Sequence, residues 1–184
     1  NTNTSVNLLI SNLPTADMMA APTADGKTWI AFYHENGGNY DMRAQLIDAD
    51  GYKLLGPDGV LVDNQTSGSA TYTFNVCVDA SNNFIIGYQD ERTGTLQSVV
   101  YKLSEAGTQL WGTHGIVLGG GLAPYPAALS NGEVVVAWSG DLGNTINLQK
   151  ITTIGTPAWS TPKTVTVGSA TTTRGQPITS TGGK

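Results

Sequence analysis

Three short apolar runs, each ending in an aromatic residue, organise the chain: Trp29-Ile30-Ala31-Phe32-Tyr33, Phe84-Ile85-Ile86-Gly87-Tyr88 and Val134-Val135-Val136-Ala137-Trp138. They are rich in β-branched and aromatic side chains and too short for helices, so each reads as a buried strand. The terminal aromatics are spaced 55 and 50 residues apart. Ahead of each run lies a turn signal, Asp25-Gly26, Ser81-Asn82-Asn83 or Ser130-Asn131-Gly132, which predicts a hairpin to a preceding strand. Behind each run comes a second recurring anchor: Asp50-Gly51 with Leu55-Gly56, Ala106-Gly107 with Trp111-Gly112, and Ile154-Gly155 with Trp159-Ser160. One unit therefore reads as an inner strand, a tight turn, the aromatic-ended strand and a longer loop. A third strand follows (Met42 to Ile47, Gln97 to Leu103, Thr145 to Ile151), then a Gly turn and an outer strand (Val60 to Asp63, Ile116 to Leu118, Thr164 to Val167).

Four-stranded units of about 40–50 residues that cannot bury both faces until neighbours stack on them are the mark of propeller blades. The expected fold is all-β, a β-propeller of four-stranded antiparallel blades. The units fall at approximately 17–72, 73–123 and 124–173, with a partial flanking strand at 5–11 and the start of a fourth unit at 174–184. Three blades do not close a ring, so either the two ends pair or the chain is a fragment of a larger ring. A right-handed β-solenoid is the architectural alternative, with coils of about 20–30 residues and no paired hairpin turns.

Charged residues make up 12% of the chain, against roughly 25% in an ordinary soluble domain. Polar character comes from Thr, Ser, Asn and Gly instead, an extracellular type of composition, and the expected location is outside the cell or on its surface, with any signal peptide already removed or beyond this sequence. A net charge of −5 with nine basic residues scattered singly argues against nucleic acid, whose binding needs clustered Lys and Arg. The single cysteine, Cys77, excludes an internal disulfide and a Cys-based zinc cluster and reads as a small buried hydrophobe. No apolar run approaches the ~18 residues of a spanning helix, so no transmembrane segment is expected.

The stretches Pro22-x-x-Asp25-Gly26, Ile30-Ala31-Phe32-Tyr33 and Arg43-Ala44-Gln45-Leu46-Ile47-Asp48-Ala49-Asp50-Gly51 resemble blades common in large secreted and surface proteins of Bacteroidota-type bacteria. Tyr88-Gln89-Asp90-Glu91-Arg92-Thr93-Gly94 is similar to the same family's aromatic-x-Asp-x-Arg-x-Gly step, which the first unit replaces with Glu35-Asn36-Gly37 and the third with Gly140-Asp141-Leu142. The resemblance implies an architecture and export through a type IX outer-membrane machinery, whose components then count among the expected protein partners. It implies no ligand.

By fold-level analogy, a propeller's binding face is built from the loops between second and third strands. That places His34, Glu35 and Asp41 of the first unit, Asp90, Glu91 and Arg92 of the second, and Asp141 of the third on one solvated rim, with Tyr125 as an aromatic outside the strands. Asp90 and Arg92 are also placed to pair and hold their loop in shape. The fourteen acidic residues offer too many pairs to single out a glycosidase couple. Thr23 to Trp29 falls one residue short of the Asp-box of sialidase-like propellers, and Asp48-Ala49-Asp50-Gly51 lacks the ligands that a calcium loop needs. His34 and His114 occupy non-equivalent repeat positions and read as surface histidines. No nucleophile elbow, phosphate loop or His-Glu-x-x-His occurs. The expectation is a non-enzymatic protein-interaction scaffold without catalytic residues, metal or cofactor. The alternatives are a glycan-binding or carbohydrate-active propeller and a purely structural spacer.

Overall fold

A computed structural model describes residues 7–69, 73–140 and 145–166. Twelve strands are found among them: β1 (Thr15–Pro22), β2 (Thr28–Asn36), β3 (Asn39–Ile47), β4 (Val60–Asp63), β5 (Asn75–Val78), β6 (Phe84–Asp90), β7 (Gln97–Leu103), β8 (Ile116–Gly120), β9 (Leu122–Ala128), β10 (Val134–Ser139), β11 (Thr145–Ile151) and β12 (Lys163–Thr166). They form three four-stranded antiparallel meanders in the orders β1-β2-β3-β4, β5-β6-β7-β8 and β9-β10-β11-β12. The protein is all-β, and each sheet is an open ribbon whose strands pair only with their sequence neighbours. Residues 7–11, the described part of the expected flanking strand, belong to no strand. The expected start of a fourth unit at 174–184 lies outside the described residues.

The repeat is carried by backbone chemistry. In the three first hairpins the N–H of Thr23, Asp79 and Leu129 donates to the carbonyl four residues on, and the N–H of Gly26, Asn82 and Gly132 donates back to the same three residues. Gly26, Asn82 and Gly132 all take positive φ, which is why Gly and Asn stand there. The third hairpins repeat the scheme at Asp48, Ser104 and Thr152.

Strands β2, β6 and β10 carry the buried aromatic runs, and one core cluster joins the first two sheets while a second joins the last two. Trp29 of the first sheet lies flat on Phe84 of the second, with centroids 4.9 Å apart and planes 4° from parallel. Its indole N–H donates to the carbonyl of Asn82 at 3.0 Å. Gly87 lets β9 close on β6, since a Cβ there would sit 2.8 Å from the Pro124 carbonyl oxygen. Strand β1 contacts β5, and β5 contacts β9, so the first strands of the three sheets are neighbours. Cys77 packs against the second cluster, and burial pushes its thiol up to about 12, leaving it protonated and inert at neutral pH.

Several expectations need correction. Tyr125 lies inside β9, opposite Ala137, although Pro124 and Pro126 argue against a strand. An edge strand needs no N–H on its outer side and so tolerates proline, and positive φ at Ala123 with a register shift at Ala137/Ser139 absorbs the misfit. The aromatic-ended strand of the first unit also runs on past Tyr33 to Asn36, where Gly37 and Gly38 turn the chain directly into β3. His34, Glu35 and Asp41 are therefore strand residues, His34 opposite Asp41, instead of members of a solvated loop. His34 is mostly covered rather than a surface histidine, and Asp90 likewise closes β6 and is fully buried instead of lying on a solvated rim.

Candidate functional site

The candidate residues of the first two units fall into two polar clusters at one end of their sheets. In the first, the carboxylate of buried Asp41 accepts from the side-chain amides of Asn39 at 2.7 Å and Asn36 at 3.0 Å. His34 Nδ1 lies 3.6 Å from Asp41 Oδ2. Glu35 is exposed and accepts the N–H of Gly38 at 2.9 Å, closing the turn. These bonds hold the hairpin tip in shape.

The second cluster straddles the junction of the first two sheets. Asp90, at the end of β6, is fully buried and takes a forked bond from Arg92, with Nε 2.9 Å and Nη2 2.6 Å from Oδ2. The same guanidinium reaches Asp63 at the end of β4 across the junction at 3.3 Å. It also donates to the Tyr101 hydroxyl at 2.9 Å and to the His114 carbonyl at 2.8 Å. Tyr88 donates its hydroxyl to Asp63. The His114 ring stands at the mouth, 62% exposed, with Nδ1 3.5 Å from the other Asp63 oxygen. One guanidinium therefore serves two carboxylates whose side chains are 1% and 0% exposed. Buried charge persists only when paired and hydrogen-bonded in this way.

Burial works against the charge on Arg92, but its interactions with Asp90 and Tyr101 together outweigh that and raise the guanidinium above its ordinary value. Burial also raises the phenols of Tyr88 and Tyr101 far above the ordinary tyrosine range, with the neighbouring Asp63 charge adding to both. Both hydroxyls are protonated in the fold, whereas tyrosines of the unfolded chain ionise near pH ~10. The stability tied to these two groups is whole below about pH 10 and falls as pH rises beyond it, by about 1.4 kcal/mol per pH unit for each phenol. Urea unfolding between pH 9 and 11.5 is expected to reveal this slope, and Tyr88→Phe with Tyr101→Phe should flatten it. An identical slope in the double variant would assign the alkaline loss elsewhere.

The segment 64–69 ties the two clusters together. Its Ser67 N–H donates to Asn39 Oδ1 at 2.8 Å and its Ser67 carbonyl accepts the N–H of Tyr40 at 2.9 Å. Its Thr66 carbonyl accepts the N–H of Glu91 at 2.6 Å, and the N–H of Gly68 donates to Glu91 Oε2 at 3.3 Å. Of the sequence-predicted residues, the structure thus unites His34, Glu35 and Asp41 in one cluster and Asp90 and Arg92 in the other, with Glu91 beside them. Tyr125 is half-buried on the first strand of the third sheet, and Asp141 lies outside the described residues.

Sequence reasoning passed over Asp63 and Tyr101 and read His114 only as a surface histidine, without its place beside Asp63. A signal for one of them exists in the repeat. Gln45 and Gln149 occupy equivalent positions and strap their sheets identically, each amide donating to a carbonyl after the third turn, Gly56 at 2.8 Å and Trp159 at 3.0 Å. Tyr101 stands in the corresponding place of the second sheet and points its hydroxyl to Arg92. That single departure from the repeat marks the cluster. No group of three or more His, Cys, Asp or Glu side chains able to hold a metal ion is found among the described residues. Asp48, in the stretch with a superficial calcium-loop look, spends Oδ1 on the N–H groups of Asp50 and Tyr52 at 3.0 and 2.7 Å. No described helix is long and apolar enough to cross a membrane.

No family model matches the chain, and no curated protein matches it. Among solved structures, it is similar to a "putative glycosidase" from Bacteroides thetaiotaomicron VPI-5482, with a TM-score of 0.46 and 12% identity over 81% of this chain. The match spans 50% of that protein's chain, so this sequence covers about half its length.

Proposed function

We propose that the three sheets are consecutive blades of a β-propeller and that the protein is a non-enzymatic secreted or cell-surface scaffold presenting a rigid rim to a protein partner. The adjacency of β1, β5 and β9 supports the ring, because blades arranged about an axis bring their first strands together. The observation that carries the functional reading is the commitment of the buried carboxylates. Asp41, Asp63 and Asp90 are all buried and held by Asn36, Asn39, Arg92 and Tyr88. A glycosidase needs two carboxyl groups that reach its substrate, whereas Asp63 and Asp90 are committed to fastening the first sheet to the second and Asp41 to holding its own hairpin tip. The cluster fixes the rim, and the exposed Glu35 and the imidazole of His114 are left on its surface.

An outer-membrane export component is the partner class that the blade resemblance implies. Chemical cross-linking on cells that make the protein, followed by mass spectrometry, is expected to recover one dominant partner through the rim. The substitutions Glu35→Gln, which keeps an acceptor for the Gly38 N–H, and His114→Gln should together reduce that cross-link at least tenfold while the far-ultraviolet circular dichroism spectrum stays that of the parent. Turnover of aryl glycosides by the purified protein, abolished in Asp63→Asn, would overturn the scaffold reading in favour of a carbohydrate-active one.

A further inference from the structure

The opposite end of the strands carries a second polar feature, which arises from a break in the repeat. Aligning the first hairpins by their shared backbone bonds puts Asn82 in register with Gly26 and Gly132, Ala80 with Ala24 and Ser130, and Asn83 with Lys27 and Glu133. The third hairpins likewise put Glu105 in register with Thr153. At the junction of the first and second sheets these positions bridge the gap. Asn82 Oδ1 accepts the N–H of Ala24 at 3.1 Å, and Lys27 Nζ reaches Glu105 at 2.8 Å.

At the next junction both bridges are missing. Gly132 stands where Asn82 stood and has no side chain to offer Ala80. Asn83 replaces Lys27, is shorter, and turns back to donate to Asp79 at 3.0 Å. Thr153 replaces Glu105. A cavity of about 330 Å³ is left, with Ala80, Asn83, Lys102, Ser130, Gly132 and Thr153 among its walls. That volume lies at the low end of the ~300–1,000 Å³ range of small-molecule sites.

The wall chemistry selects the ligand. Lys102 and Asp79 face each other at 2.7 Å with side chains only 6% and 3% exposed, so the site has no net charge to attract an anion. Asp79 is also saturated, with Oδ1 accepting from the N–H groups of Ser81 and Asn83 and Oδ2 from the Asn83 amide and Lys102. Burial opposes its charge, yet the Lys102 and Asn83 bonds hold its carboxyl below the usual range, and it has no lone pair free for a cation. What remains is neutral: hydroxyls of Ser130 and Thr153, the Asn83 amide oxygen, and the Ala80 N–H, for which no acceptor stands opposite among the described residues. Mixed neutral donors and acceptors suit a ligand whose own groups both donate and accept.

We infer that this cavity binds a neutral polyhydroxylated ligand the size of one saccharide ring, a ligand hydroxyl oxygen accepting the Ala80 N–H as the Asn82 amide oxygen accepts that of Ala24. The site lies at the far end of the strands from the Arg92 cluster and does not depend on the scaffold reading of the rim. The test is a titration of the full chain, followed by amide NMR, with methyl glycosides of neutral hexoses and N-acetylhexosamines at millimolar concentrations. Saturable shifts are expected at Ala80, Asn83, Gly132 and Thr153 for at least one glycoside. Gly132→Asn should raise the dissociation constant at least tenfold, because it restores the filler seen at Asn82. Asn is compatible with the backbone there, as Asn82 itself shows at φ 61°, although the new Cβ would press on Thr153 at 3.2 Å. Ala80→Pro should do the same without filling the space, since proline suits the second position of this turn and removes the N–H. Gly26→Asn, at the equivalent open position, should leave binding unchanged. Absence of saturable shifts with every glycoside, or unweakened binding in a folded Gly132→Asn or Ala80→Pro variant, would overturn the inference.

Discussion

Replacing Arg92 with alanine is expected to cost about 3–5 kcal/mol of folding stability, the magnitude seen when one partner of a buried ion pair is removed. The guanidinium is the cation shared by Asp63 and Asp90, whose side chains are 1% and 0% exposed. Its loss strands two carboxylates in a region of low polarity and also strips the Tyr101 hydroxyl and the His114 carbonyl of their donor. Arg92→Lys should recover only part of the loss, because an ammonium cannot make the forked bond to Asp90 while reaching across to Asp63. A double-mutant cycle with Asp90→Asn should return a coupling energy of about 0.5–3 kcal/mol, as expected for neighbours in one network. Urea unfolding at neutral pH measures all of these. An Arg92→Ala variant within ~0.5 kcal/mol of the parent, the range of ordinary surface substitutions, would show that the cluster does not fasten the sheets.

Trp29→Ala should have an effect of similar size, about 3–5 kcal/mol. The indole is fully buried, stacks on Phe84 at 4.9 Å and bridges the first two sheets through its bond to the Asn82 carbonyl. Removing it leaves a cavity in the middle of the larger core cluster and an unpaired acceptor at its edge. Trp29→Phe keeps a ring in the stack and should cost less, chiefly the price of an unsatisfied carbonyl, about 1–3 kcal/mol. Fluorescence-detected unfolding is unsuited to a tryptophan variant, so far-ultraviolet circular dichroism in urea is the appropriate readout. Equal losses in the two variants would mean that the hydrogen bond, and not the packing, carries the junction.

The two effects differ in kind. Trp29 joins the sheets by apolar contact, which is tolerant of direction, whereas Arg92 joins them by directional charge-assisted bonds that fix how β4 meets β6. Together they explain how a chain with so few charged residues keeps neighbouring sheets in one arrangement: core area supplies adhesion and the buried network supplies alignment.

Most of the strands were legible from the residues alone, the exceptions being the flanking strand read at 5–11, the place of Tyr125 inside β9, and the tip of the β2–β3 hairpin. An apolar run ending in an aromatic, a turn with Gly or Asn at the position of positive φ and a recurring spacing are local signals. Local signals suffice for β2, β6 and β10 and for the hairpins before them, because hairpin geometry depends on a handful of adjacent residues. The pairing of Asp90 with Arg92 was readable for the same reason, the two lying in one turn. The polar clusters were not. Asp63 meets Arg92 and Tyr88 from 29 and 25 positions away, and nothing in the neighbourhood of Asp63 signals a buried charge. The cavity beside Gly132 is likewise invisible locally, since it is left open where Gly132, Asn83 and Thr153 stand in place of the Asn82, Lys27 and Glu105 that bridge the equivalent gap one sheet earlier. The sequence by itself determined most of the strands and turns through short-range sterics and hydrophobic period. Which side chains meet across a junction, and which gap stays open, was decided by the packing of one sheet on the next, where contact depends on distance in space and not along the chain.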